Sequence, residues 1–465
     1  MISTRGEKKK VSAKEAIIKG LADDGGLYVP ETIPALPRPL NELLTLSYPE
    51  LAKEILRPFL DFSESELEDC VRSAYAEGRF AHPAIAPLKS TAGVHFLELF
   101  HGPTMAFKDM ALSILPHFFK VSASESEIVI LTATSGDTGK AALEAFRDIL
   151  GVSVVVFYPE NGVSNLQKRQ MITQEGENTY VFGVKGNFDD AQTGVKKIFL
   201  SEFGKKFSSA NSINIGRLLP QIVYYFYAYG QMETSQPVNF VVPTGNFGNI
   251  LAGYYAKKMG LPINKLICAS NNNKVLYDFF RTRGYNKNRE FHCTISPSMD
   301  ILVSSNLERL LYHATDADSV RNMMESLANR GEYEVKASFA DFYGAHTTEE
   351  ETKKAIFEVW KESGYVMDPH TAVAYHGGRR YMAETGDNTP QIVIATASPY
   401  KFTEDVLMAL GESPKTSDLE NARTLSEKSG VPIPKPVLEL ENKPVRHSIV
   451  CEVSEMEKMV YSLTS

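Results

Sequence analysis

Cysteine is scarce. Cys70, Cys268, Cys293 and Cys451 stand far apart, with no C-x-x-C pair and no histidine at zinc spacing, so no metal site built from them is expected and all four read as structural. Cys70 illustrates the point: Ser63-x-x-Glu66 is a capping-box pattern, and Leu67, Cys70 and Val71 share one face of the helix that follows. Long apolar runs are also missing, none approaching the ~20 residues of a membrane span. The opening MISTRGEKKK carries charge with no apolar stretch behind it, so secretion is not indicated and the cytoplasm is the expected compartment. Positive charge is not in excess either. The 49 Lys and Arg residues are scattered against 57 Asp and Glu, a net charge of −8, which argues against a nucleic-acid partner. There are no repeats, low-complexity tracts or long blocks of like charge.

What is present is enough apolar material for more than one domain: 465 residues, 43% hydrophobic and 10% aromatic. The first ninety or so residues hold a capped helix (Ser12, Glu15, then Ala16, Ile17, Leu21), the loop DDGGLYVPETIPALP and two further helical stretches. From about residue 95 strands alternate with helices. EIVILTATS (127–135), VSVVVFYP (152–159), TYVFGV (179–184), VNFVVPT (238–244) and KLICAS (265–270) read as strands; TGKAALEAFRDIL (138–150), NLQKRQMITQEG (165–176), FDDAQTGVKKIFLSEF, RLLPQIVYYFYAYGQM (217–232) and NILAGYYAKKMG read as helices. Such alternation predicts parallel sheets covered by helices, with ligands beyond the carboxyl ends of the strands. Two series suggest two lobes and a cleft. The expected divisions are 1–93, 94–235 and 236–465.

Two strand-to-helix junctions are rich in small polar residues. TATSGDTGK (132–140) is not a nucleotide P-loop, because the residue five before Gly139 is Thr134 and Lys140 is followed by Ala141. It is either a turn offering N–H groups and hydroxyls to a carboxylate or phosphate, or a helix simply capped by Ser135 or Asp137. PTGNFGN (243–249) can turn several N–H groups onto one anion if Gly245 and Gly248 adopt positions forbidden to other residues; a tight connecting turn is the alternative. In HGPTMAFKDMA (101–111) a lone lysine, Lys108, sits among small and apolar residues at the start of a helix. It either snorkels into water or is a desolvated amine. A lysine in a cleft, a carboxylate-binding turn and a phosphate-binding loop together suggest pyridoxal phosphate, with Lys108 forming the Schiff base and desolvation favouring its neutral form.

The chain resembles the bacterial and fungal threonine synthases, pyridoxal-phosphate enzymes of fold type II. The matching stretches run in order through STRGE, DDGGLYVPE, ELFHGPTMAFKDMA, ILTATSGDTGKAA, NSINIGRLLPQIVYYF, VPTGNFGN, DPHTAVAY and ATASPYKF. The resemblance implies an α/β fold with two parallel-sheet lobes around a cofactor cleft, plus an N-terminal helical subdomain. It implies that Lys108 carries the cofactor, that Gly245, Asn246, Phe247, Gly248 and Asn249 hold its phosphate, and that Thr396 meets the pyridine nitrogen. Thr134, Ser135 and Thr138 would bind the substrate carboxylate, with Asp137 near the cofactor's 3'-oxygen, where a carboxylate beside a phenolate is repulsive unless a proton is shared. Ser212, Asn214 and Arg217 would take the substrate's own phosphate.

The implied reaction converts O-phospho-L-homoserine and water to L-threonine and phosphate by γ-elimination and β-addition of water. No metal is implied, and a monomer or homodimer is expected. A phospholyase of the same fold giving 2-oxobutyrate, and a non-catalytic metabolite-binding relative, are the alternatives; Lys108 with both anion loops argues against the second. The aromatic run YYFYAYG reads as core. Asp368 before Pro369 reads as a helix cap, and His370 as structural.

Overall fold

Short runs of branched and aromatic residues, buried on both faces, become strands, and all of the strands read from the sequence form. The computed structural model describes residues 1–123, 128–134, 136–199 and 206–463. Two parallel sheets result. Across the smaller one the order is Val450–Glu452, Thr179–Lys185, Val152–Pro159, Ile128–Ala133 and Lys206–Ser209. Across the larger one it is Phe342–His346, Ile263–Ser270, Val238–Pro243, Gln391–Ala395, Val94–Glu98 and Leu88–Thr91, parallel except for the last pair.

The sheets do not respect chain order, and this corrects the expected divisions at 93/94 and 235/236. Val94–Glu98 belongs to the larger sheet beside Gln391–Ala395, while the C-terminal strand Val450–Glu452 returns to the smaller sheet beside Thr179–Lys185. A parallel strand joins whichever sheet edge or gap its crossover reaches, and local pattern carries no information about that.

Side-chain alternation along the strands divides the core. Val154 and Val156 face a main cluster that also takes in Ile17 and Leu51 of the N-terminal helices and Phe240 and Leu266 of the larger sheet. Val155 and Phe157 face a second cluster on the outer side of the smaller sheet, and Val241, Ile267 and Val393 a third outside the larger one.

The helix read over 217–232 breaks into Ile215–Leu218 and Pro220–Gln231, because Pro220 has no N–H for the ladder. Tyr224, Tyr225, Phe226 and Tyr229 are buried, as the core reading requires. The capping box at Ser63 and Glu66 starts the helix Glu64–Ala74, with Cys70 buried beside Leu67 and Val71. Among the described residues no helix is long and apolar enough to cross a membrane, and no cluster of His, Cys, Asp or Glu is arranged to hold a metal.

Candidate active site

The motif loops all leave carboxyl ends of strands, so parallel pairing within each sheet collects them at one end. Lys108 opens the helix Lys108–Leu112. The turn before it is organised by Asp109, whose carboxylate accepts from the Thr104 N–H (2.8 Å) and hydroxyl (2.6 Å). Gly102 has to be glycine, since a Cβ there would lie 2.4 Å from that of Asp109. The Phe107 N–H donates to the Thr396 carbonyl (2.8 Å) and the Ser398 N–H to that of Met105 (3.0 Å), strapping the turn to the segment after Gln391–Ala395. Lys108 does not snorkel. Its side chain is 11% exposed and its Nζ is 3.6 Å from Asp137 Oδ2. Burial lowers its pKa, Asp137 opposes the shift, and Lys401 and Arg217 add to it, which favours a neutral amine.

Asp137 opens the helix Asp137–Phe146 without capping it. Its Oδ1 takes Gln167 Nε2 at 3.0 Å and Lys401 Nζ at 2.8 Å. Burial alone would raise its pKa, but Lys401 and then Lys108 outweigh that and hold the carboxyl well below its usual range. Thr134, expected to bind substrate, is engaged elsewhere. Its Oγ1 accepts from the N–H groups of Gly136 (3.0 Å) and Gly139 (2.9 Å), closing the turn from within. Thr138 follows Asp137 and is partly exposed. Ser135 lies outside the described residues.

At 243–249 the left-handed residue is Phe247 (φ 65°), which corrects the expectation that the glycines take that conformation. Gly245 is required for a different reason: a Cβ there would come within 2.6 Å of the Ser298 carbonyl oxygen. A Cβ on Gly248 would meet only Asn306 and Ser212, at 3.6 Å and beyond, so that side of the loop is open. Gly248 starts the helix Gly248–Met259, whose first N–H groups have no intrahelical acceptor. The loop's carbonyls are turned the other way. Gly245 O accepts from the Ser304 hydroxyl (2.7 Å), and Asn246 O from the N–H (3.1 Å) and side-chain amide (2.9 Å) of Asn306.

Asn249 Oδ1 accepts from the hydroxyls of Tyr224 (2.7 Å) and Tyr225 (2.8 Å), while its Nδ2 is buried with no partner among the described residues. A helix N-terminus, an open glycine edge and an orphaned amide donor suit a phosphate. Together with a buried lysine whose pKa is lowered they fit pyridoxal phosphate. Thr396 is buried after Gln391–Ala395, its carbonyl joined to the residue preceding Lys108.

Arg217 is 2% exposed. Its Nη1 donates to the Ala210 carbonyl, its Nε is buried without a partner, and no carboxylate lies within ion-pair distance among the described residues. Burial lowers the guanidinium to about 10, leaving it charged at neutral pH. Asn214, grouped with it from the sequence, is corrected. Its side chain donates to the carbonyls of Ile17 (2.9 Å) and Ser209 (3.1 Å) and caps Gly216 N–H (2.9 Å), so it holds the helix rather than a ligand. Ser212 lies against the 245–249 loop, its hydroxyl accepting from Asn306 Nδ2 at 3.2 Å.

Several residues of the site were not read from the sequence. Lys401 repeats the signal of Lys108, a single lysine among buried residues just past a strand, in SPYKF. Gln167 is the third-position member of a capping box begun by Ser164, and its amide reaches Asp137 as well. Arg309 is wholly buried and joins three segments, donating to Asn306 Oδ1 and to the carbonyls of Tyr28 (2.9 Å) and Ile213 (2.5 Å). No local pattern marks it. His370 is structural: it bonds Asp368 (2.9 Å) and accepts from Ser298 N–H (3.2 Å), next to Gly245.

Fold and site together define a pyridoxal-phosphate-dependent enzyme of fold type II, and residues 80–397 match the family described as pyridoxal-phosphate dependent enzyme. Residues 1–75 match the threonine synthase N terminus and residues 371–460 the threonine synthase C-terminal family. Threonine synthase of Pseudomonas aeruginosa is 40% identical over 433 residues, 89% of this chain and 91% of that one. Human threonine synthase-like 1 is 42% identical over 442 residues, 86% of this chain but only 59% of that longer protein. The crystal structure of PLP-bound threonine synthase from Brucella melitensis superposes with a TM-score of 0.88 at 36% identity, covering 99% of this chain and 98% of that one. The chain belongs to the threonine synthase family.

Proposed function

We propose that the chain converts O-phospho-L-homoserine and water to L-threonine and phosphate, with Lys108 as the carrier of the cofactor and the general base. What supports this reading is a pair of positions suited to an anion, each with a buried donor that lacks a partner among the described residues. One is the donor-lined loop Gly245 to Asn249, and the other is the buried, unpaired Arg217, close enough to Lys108 to act on its charge. A substrate bearing its own phosphate needs the second site once the first holds the cofactor.

Pyridoxal phosphate supplies an electron sink for charge developing on the substrate. The chain supplies the rest. Lys108, released as a free amine, takes the Cα proton and then a Cβ proton of the substrate. Arg217 grips the departing phosphate at Cγ; Cγ then takes up a proton, water adds at Cβ, and a proton returned to Cα completes L-threonine. Thr138 and the N-terminal N–H groups of Asp137–Phe146 would bind the substrate carboxylate, and Thr396 would meet the pyridine nitrogen. A neutral hydroxyl there would leave that nitrogen unprotonated. A product assay tests the reading: threonine and phosphate should appear in equal amounts, whereas phosphate with 2-oxobutyrate would make the chain a phospholyase.

A further inference from the structure

Two lysines, not one, touch Asp137, and only one of them is free to react. Lys108 Nζ stands 3.6 Å from Oδ2. Lys401 Nζ is 2.8 Å from Oδ1, 3.0 Å from the Thr104 carbonyl and 3.2 Å from Gln170 Oε1, and its side chain is fully buried. Three acceptors saturate the three N–H groups of an ammonium. Lys401 therefore cannot reach a ligand without abandoning all of them. Its carrier segment is fixed too, since the Ser398 N–H donates to Met105 O and the Lys401 N–H to Ser398 O, both at 3.0 Å.

With Oδ1 held by Lys401 and by Gln167 Nε2 at 3.0 Å, the carboxylate has one orientation, and Oδ2 is the oxygen left to face Lys108. This bears on the repulsion between a carboxylate and the cofactor's anionic ring oxygen. We propose that Lys401 is a positioning residue of the reaction, a fixed counter-cation that aims Asp137 at Lys108 and neutralises it, so that a carboxylate can stand beside the cofactor's ring oxygen. The inference rests on Lys108 being the carrier. The other charged groups whose fields reach this cluster are Arg217, Asp109, whose carboxylate is bound by Thr104, and Lys140, which pairs with Glu144 at 3.1 Å.

The test follows the visible absorbance of the bound cofactor against pH, a reading independent of turnover. Lys401→Met leaves a negative charge uncompensated and should raise the pH at which the chromophore loses its proton by about one to three units. Asp137→Asn leaves a positive charge uncompensated and should lower it. The double variant should return close to wild type, because removing both members of a buried pair is far better tolerated than removing one. Singles that leave the midpoint unmoved, or a double displaced as far as either single, would overturn the proposal. If Lys401→Met does not fold, Asp137→Asn decides alone, a lowered midpoint supporting the proposal and an unchanged one refuting it. Borohydride reduction of the wild type separates the two failures: a label away from Lys108 removes the underlying reading, whereas a label on Lys108 with unmoved midpoints removes only the role of Lys401.

Discussion

The turn after Ala133 and the loop after Pro243 are both strand-to-helix junctions, yet they solve opposite electrostatic problems. The loop at 243–249 is all donors: helix N–H groups, an orphaned Asn249 amide, and carbonyls turned away onto Ser304 and Asn306. It suits a bound dianion. The turn at 134–139 carries a carboxylate of its own, Asp137, and Lys401, from 264 residues along the chain, stands 2.8 Å from it as a counter-cation. A helix N-terminus thus supplies a generic anion preference, and the side chains brought to it decide what it holds.

The largest effect is expected from damage to the donor loop. Gly245→Val should abolish cofactor binding, because its Cβ would press on the Ser298 backbone at 2.6 Å and deform the loop. Gly248→Ala should fold normally, its Cβ meeting only ordinary contacts, but bind cofactor more weakly by crowding the phosphate. Equal cofactor affinity in Gly245→Val and wild type, measured by absorbance titration, would remove the loop from the site.

A smaller effect is expected at the second anion site. Arg217→Lys keeps the charge and loses the two-pronged grip, so kcat/KM for O-phosphohomoserine should fall roughly ten- to hundredfold, one charge-assisted hydrogen bond contributing on the order of 1.5–3 kcal/mol. Arg217→Ala should be worse, with cofactor absorbance intact in both. A loss of absorbance would mean that Arg217 serves the first anion instead.

The smallest effect separates the two junctions by pH. His313 lies on the helix Leu307–Ala314 behind the donor loop, bonded to the Tyr255 hydroxyl at 2.8 Å, and burial takes its imidazole down to about 4. Between its unfolded value of about 6.5 and that lower one, the unfolded chain binds a proton here that the folded chain refuses, so stability falls as pH falls. Asp137 is shifted in the same direction but acts in a lower pH window. Its folded pKa is depressed, so its contribution is present above the unfolded value of about 3.9 and is lost only below it. Acid should therefore loosen the support of the donor loop first. His313→Gln should flatten the dependence of Tm on pH between 6.5 and 4; an unchanged slope would assign the loss elsewhere.

Most of what forms locally was legible. The five strands read from the sequence, the capping box at Ser63 and Glu66 and the placement of Lys108 at a helix start follow from residue pattern, as do the two small-residue loops, whose roles came from the family resemblance. Long-range assembly was not. The return of Val450–Glu452 to the smaller sheet and the pairing of Val94–Glu98 with Gln391–Ala395 depend on which edges are free. The neutralisation of Asp137, the closing of the turn by Thr134 and the commitment of Asn214 to Ile17 depend on partners that only folding brings close. Tyr224 and Tyr225 show how one residue can be read correctly and incompletely: they are core, and their hydroxyls also hold Asn249.

On this geometry Lys108 should be the reactive lysine and Lys401 the fixed one. Holoprotein reduced with borohydride, digested and mapped by mass spectrometry tests this directly. The cofactor label should fall on the peptide containing Lys108 and not on that containing Lys401; a label on Lys401 would reverse the two roles.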